Sequence, residues 1–192
     1  MNVGININQA QEILKKYVKE PGNLNHCRES EVIMRAVAKR LGEDEEVWGI
    51  AGLLHDIDWE LVQSDPDEHG VKMQEILEKE NVSQELIDVI VSHVGGFTKH
   101  YPESKRSTKF EHALAAGETI TGLIYASALV NPEKKLANVK VKSLKKKMKD
   151  KSFAAKVNRD VIRECEELGL TLEEFLETSL KAMQEISEEI GL

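Results

Sequence analysis

Apolar residues recur at helical spacing along nearly the whole chain, and no segment shows the two-residue alternation of a half-buried strand. That pattern restricts the chain to an all-α fold. The periodicity predicts helices over residues 8–20, 25–41, 43–56, 67–80, 83–94, 108–130, 139–149, 152–168 and 171–190. Pro21-Gly22, Gly42, Gly95-Gly96 and Asn131-Pro132 punctuate them. The last helix opens on Thr171 and Glu174, spaced as a capping box, and carries Leu172, Phe175, Leu176, Leu180, Met183, Ile186 and Ile190 on one stripe that must be buried. Neither an internal repeat nor a Gly/Ser-rich linker interrupts the sequence. The expected architecture is a single-domain helical bundle over residues 1–192, with a core at about 20–130 and the helices of 134–192 packed on it.

With 192 residues the chain is long enough for one sizeable core. Its 34 acidic against 26 basic residues give a net charge of -8, which argues against a nucleic-acid polymer as partner. Cys27 and Cys165 form no CxxC pair, as suits a reducing compartment. The first residues lack a basic stretch followed by an apolar one, and the most apolar run, at 120–130, is about half a membrane span. A cytoplasmic protein without membrane attachment is expected. Oligomeric state is not legible.

The chemistry-bearing residues are six histidines and a few carboxylates. His55 and Asp56 are adjacent in Leu54-His55-Asp56-Ile57-Asp58 and together offer a nitrogen and an oxygen to one cation. His26 lies seven and eight residues before Ile33 and Met34, His93 three after Ile90, and His69 four before Met73. Glu118 shares a stripe with Leu114, Tyr125 and Leu129. Each is thereby directed inward, where an unpaired charge is expensive. A shared cation explains the set more cheaply than six separate accidents. The mixed nitrogen and oxygen donors suit iron, manganese, cobalt, nickel or zinc, with magnesium a further candidate. His100 and His112 read as ordinary exposed residues.

The order His26, then His55-Asp56, then a late carboxylate resembles the H…HD…D signature of the HD superfamily of metal-dependent phosphohydrolases, over about residues 20–130. Within it, His26-Cys27-Arg28-Glu29-Ser30-Glu31, Trp48-Gly49-Ile50-Ala51-Gly52-Leu53-Leu54-His55-Asp56-Ile57-Asp58, Thr121-Gly122-Leu123-Ile124 and the stretch 140–159 are similar to a group of predicted HD hydrolases of unknown substrate. The resemblance implies an all-helical HD-type fold and metal ligation by His26, His55, Asp56 and Glu118. Glu118 stands where family members carry aspartate. The resemblance also brings in His69 and His93, either as ligands of a second ion bridged through Asp56 or as pocket-lining groups that hold phosphate or water. One or two divalent ions per chain follow.

The reaction so implied is attack of metal-bound hydroxide on phosphorus of a small phosphorylated metabolite or nucleotide, with Asp56, His69 and His93 as catalytic residues. Asp58 would cap a turn or orient water. Nine lysines lie between Lys134 and Lys151. They form either a solvated face or a phosphate-attracting wall, in which Lys142, Lys145 and Arg159 would contact substrate. Two other readings stand beside hydrolysis: an HD-type di-iron oxygenase, and a non-catalytic metal or nucleotide sensor.

Overall fold

A computed structural model describes residue 1 and residues 3–192. Among the described residues there are nine α-helices and no strand. They are α1 (Ile7–Tyr17), α2 (Pro21–Leu41), α3 (Glu45–Leu54), α4 (Val71–Lys79), α5 (Gln84–Ser92), α6 (Lys109–Leu129), α7 (Val141–Lys149), α8 (Arg159–Arg163) and α9 (Leu172–Glu185).

The two 21-residue helices, α2 and α6, form the centre and pack on each other. Around them α3 and α9 lie against α2, while α5, α7 and α8 lie against α6. Ile33 and Met34 of α2, Ile50 and Leu54 of α3, and Ile87 and Ile90 of α5 are fully buried in the shared core. Phe175 of α9 is fully buried too, so the C-terminal stripe finds its cover on the central helices. No helix of the described residues is long and apolar enough to cross a membrane.

Helix ends are set by local chemistry. Asn6 with Gln9, Thr108 with Glu111 and Thr171 with Glu174 form reciprocal capping boxes, and Asp44 and Ser83 cap α3 and α5. Helix α2 begins earlier than its apolar stripe suggests, because Pro21 occupies its first turn instead of merely closing α1. Its entry has no side-chain cap of its own. The Glu60 carboxylate, distant in sequence, accepts the N–H groups of Lys19 and Glu20 and the Asn23 amide there.

The expected helix at 67–80 is broken at His69-Gly70. Pro66–Glu68 forms a 3-10 turn, Gly70 takes φ +91°, and α4 starts only at Val71. A Cβ at Gly70 would lie 2.7 Å from Val94 and 2.8 Å from the Tyr101 ring, so both conformation and space demand glycine. The expected helix at 152–168 is also corrected: residues 151–157 are turns, followed by the short α8 and a 3-10 segment at Glu164–Leu168. Asp150 accepts the N–H groups of Ser152 and Phe153, and the Arg159 guanidinium donates to the carbonyls of Ala154 and Val157 at 2.7 and 2.6 Å. Side chains thus satisfy backbone groups that a continuous helix would have paired.

Candidate metal centre

Close approach of α2 and α3 creates the site. A Cβ at Gly52 would lie 2.6 Å from the Ser30 carbonyl oxygen, so only glycine lets the two backbones come this near. His26 projects from the second turn of α2 and meets His55, which caps the end of α3, with their Nε2 atoms 3.0 Å apart. Asp56 follows in the turn, 19% exposed, and His26 is 30% exposed at its side chain. Both residues, like the partly buried Glu118, open the centre to solvent.

The far nitrogen of each ring fixes its tautomer. His55 Nδ1 donates to the Gly52 carbonyl at 2.8 Å, and His93 Nδ1 donates to that of Ile90 at 2.6 Å. Thr121 spends its hydroxyl hydrogen on the Glu118 carbonyl at 2.6 Å, so its oxygen accepts from His26 Nδ1 at 3.0 Å. His69 Nδ1 donates to Asp58 at 2.8 Å. In the neutral form of each ring the proton therefore sits outside and the Nε2 lone pair faces inward.

Those lone pairs converge on one carboxylate. Asp56 Oδ2 stands 3.6 Å from Nε2 of His26 and of His55, while Oδ1 stands 3.4 Å from that of His69 and 3.5 Å from that of His93. His93 Nε2 is buried without a hydrogen-bond partner. Two triplets can each hold a cation, with all ligand atoms within 4.8 Å of one another: His26, His55 and Glu118, and Asp56, His69 and His93. Converging lone pairs and an orphaned buried nitrogen fit divalent metal, so the donor set passes the test of its own chemistry.

Electrostatics agree for His26 and His55. Burial lowers the pKa of His26 and drives that of His55 down to about 3, so both rings stay neutral. Burial also pulls His93 down, but the Asp56 carboxylate outweighs it and leaves the ring above its usual value. For Asp56 burial acts upward, and a proton on His55, His93 or His26 would hold it well below the carboxylate range. Burial raises Glu118 to about 7, since the charged carboxylate is penalised when taken out of water.

The structure thus brings His26, His55, Asp56, Glu118, His69 and His93 into one cluster. His69 reaches it for a different reason from the one its spacing suggested: it lies outside α4, and Asp58 holds it. Asp58 is fully buried and also accepts the N–H groups of Gly70 and Met73, both at 3.0 Å, so it caps α4 and orients a ring at once. Thr121 performs the same service for His26 from across the core, 95 positions away; the family-like Thr121-Gly122-Leu123-Ile124 segment marks the residue, but not this role.

Among the described contacts, Lys142, Lys145 and Arg159 do not join the cluster. Lys142 and Lys145 are exposed on α7, and Lys145 pairs with Glu173 of α9 at 2.6 Å. Arg159 is buried, its guanidinium committed to the 150–157 turn, including the carbonyls of Asp150 and Phe153. His112, expected to be exposed, is half-buried and donates to Glu164 at 2.7 Å. Glu164 also receives the buried Arg106, whose Nη1 reaches the Ser92 carbonyl at 3.0 Å, next to His93.

The family model described as HD domain matches residues 23–149. No curated protein and no solved structure matches the chain.

Proposed function

Since the chain belongs to the HD domain family, most of whose members are metal-dependent hydrolases, we propose that it is a phosphohydrolase acting on a small phosphorylated metabolite or nucleotide. The observation that carries this reading is the convergence of four Nε2 lone pairs on the two oxygens of Asp56. His26, His55 and Glu118 would hold one divalent cation and His69 and His93 a second, with one Asp56 oxygen turned to each. A cation so held polarises a phosphoryl oxygen and lowers the pKa of water. The protein contributes rigid donors: each imidazole is fixed by an oxygen behind it, so little reorganisation remains when substrate arrives. Asp56 and His26, both partly open to solvent, would give substrate its approach.

The test is metal analysis of protein purified without added metal, followed by a panel of phosphorylated metabolites with that metal restored. Phosphate release lost in both His55→Ala and Asp56→Ala supports the proposal. Full metal occupancy and turnover in those variants would remove its basis.

A second reading is oxygen chemistry at a di-iron centre, favoured by a donor set of four imidazoles and two carboxylates that suits iron. Phosphoester turnover in the absence of oxygen argues for hydrolysis. Iron near two per chain with substrate-dependent oxygen uptake argues for the alternative.

A further inference from the structure

Two aromatic rings stand against His69 from outside the cluster. Trp59 meets it edge-on, with centroids 5.3 Å apart at 76°, and Phe97 stands perpendicular to it at 6.1 Å. The two aromatics are 6.3 Å from each other at 50°. Trp59 is half-buried and Phe97 is 62% exposed, whereas Phe110 and Phe175 are buried in the core.

An exposed phenyl ring forgoes the apolar burial that normally justifies it. Here the exposure is built. Phe97 N–H donates to the Val94 carbonyl at 2.9 Å, Gly96 N–H to that of Tyr101 at 2.8 Å, and Tyr101 N–H to that of Thr98 at 3.2 Å. Thr98 is buried beside it, and Lys99 N–H is tied to Asp67 at 3.1 Å. The loop therefore holds the ring in place on both sides while leaving most of it in water, one histidine away from the carboxylate at the heart of the candidate centre.

We propose that the exposed Phe97 ring, with Trp59 inclined beside it, forms a stacking face for a planar aromatic group of nucleobase size, joined through a sugar-length spacer to a phosphate at the Asp56 centre. The phosphate half rests on the proposed phosphohydrolase function; the ring half rests on the two aromatics. A π-face supplied by side chains accepts any base and so sets the substrate class without reading base edges. The spacer follows from the placement of His69 between the stacking face and Asp56.

Calorimetry on the full chain with added manganese compares adenosine 5′-monophosphate, adenosine and ribose 5-phosphate. Stacking of one base predicts that the nucleotide binds roughly tenfold tighter than the sugar phosphate. Phe97→Ala should erase that preference, leave ribose 5-phosphate binding unchanged, and be rescued by Phe97→Tyr. Trp48→Phe leaves Trp59 as the remaining tryptophan, and its emission should then respond to adenosine. Equal affinity of nucleotide and sugar phosphate in the parent overturns the proposal, as does failure to bind either adenosine compound. So does equal weakening of nucleotide and sugar phosphate by Phe97→Ala, which would make the ring a mere cover for His69. Ring preference without phosphoester turnover would sink the phosphohydrolase reading alone, and turnover without ring preference would sink the stacking face alone.

Discussion

His26 and His55 face each other through Nε2 atoms 3.0 Å apart, and both atoms carry lone pairs because each ring has its proton engaged by an oxygen on the opposite side. Two lone pairs at that distance repel unless a cation or a proton lies near them. Thr121 is what forces the His26 tautomer, so Thr121→Val should release the ring to put a proton between the two nitrogens and thereby compete with metal. Loss of such an outer hydrogen bond typically costs about 10–100-fold in metal affinity. Titration with manganese or zinc checks this, and unchanged affinity would show that the threonine does not govern the ligand.

A second cation, if held by His69 and His93, would depend on Asp58. It accepts from His69 Nδ1 and from two backbone N–H groups, and an asparagine would keep an acceptor for only part of that set. Asp58→Asn should lower metal stoichiometry from two toward one at limiting metal, and cost about 1–3 kcal/mol of stability through the backbone groups left buried. His69→Ala should lower stoichiometry with a smaller effect on α4. A stoichiometry of one in the parent, unchanged in both variants, would make His69 and His93 pocket lining.

Glu29 should make stability depend on pH. It is 3% exposed on α2, its Oε1 has no partner, and burial raises its pKa to about 8. The folded state thus holds a proton that the unfolded state releases near the ordinary carboxylate pKa. Stability from this group is complete below about pH 4.5 and falls as pH rises toward 8, by up to a few kcal/mol. Glu29→Gln keeps the neutral shape and removes the slope, so the variant should exceed the parent in urea denaturation at pH 9 and match it near pH 5. Metal-free protein is the right sample, and parallel pH profiles would overturn the expectation.

The lysine segment separates two roles that the sequence merges. Arg159→Ala should lower stability by about 2–4 kcal/mol, since it frees several carbonyls of the 150–157 turn. Lys142→Glu, on the exposed face of α7, should leave stability alone. If the lysines draw phosphate toward the centre, it raises the Michaelis constant more than Lys134→Glu does, and the difference shrinks with added salt. Equal constants for the two lysine variants would assign the segment to solvated surface.

Helical phase made much of this legible. His26 and His93 lie where their distances from Ile33 and Ile90 place them, and His55-Asp56 falls at the end of a helix whose close packing needs Gly52. Phase failed where a side chain overrode the backbone's own pattern. His69 looked helical because it precedes Met73 by four, yet a proline-led turn and a left-handed glycine set it apart. Arg159 looked like a free cation in a basic run, yet its guanidinium replaces the hydrogen bonds of a helix that does not form. Thr121 and Asp58 act through hydrogen bonds to partners that only the packed structure brings near. Their place in the site depends on tertiary contact, which periodicity does not encode.

Glu118 is the position at which the resemblance leads one to expect aspartate, and its surroundings decide what shortening it does. The side chain projects from α6 beside His26 and His55, its backbone carbonyl already committed to Thr121, and burial holds its pKa near 7. A position fitted to glutamate cannot follow a shorter carboxylate inward, because Gly117 next to it packs tightly on Met34. Glu118→Asp should therefore weaken metal binding moderately, and Glu118→Gln should weaken it more by removing the ligand charge while keeping the length. If instead the site is an aspartate site weakened by the extra methylene, Glu118→Asp tightens binding and raises turnover. Metal titration of the three proteins distinguishes these outcomes, and identical affinity in all three would mean that the cation rests on His26, His55 and Asp56 without Glu118.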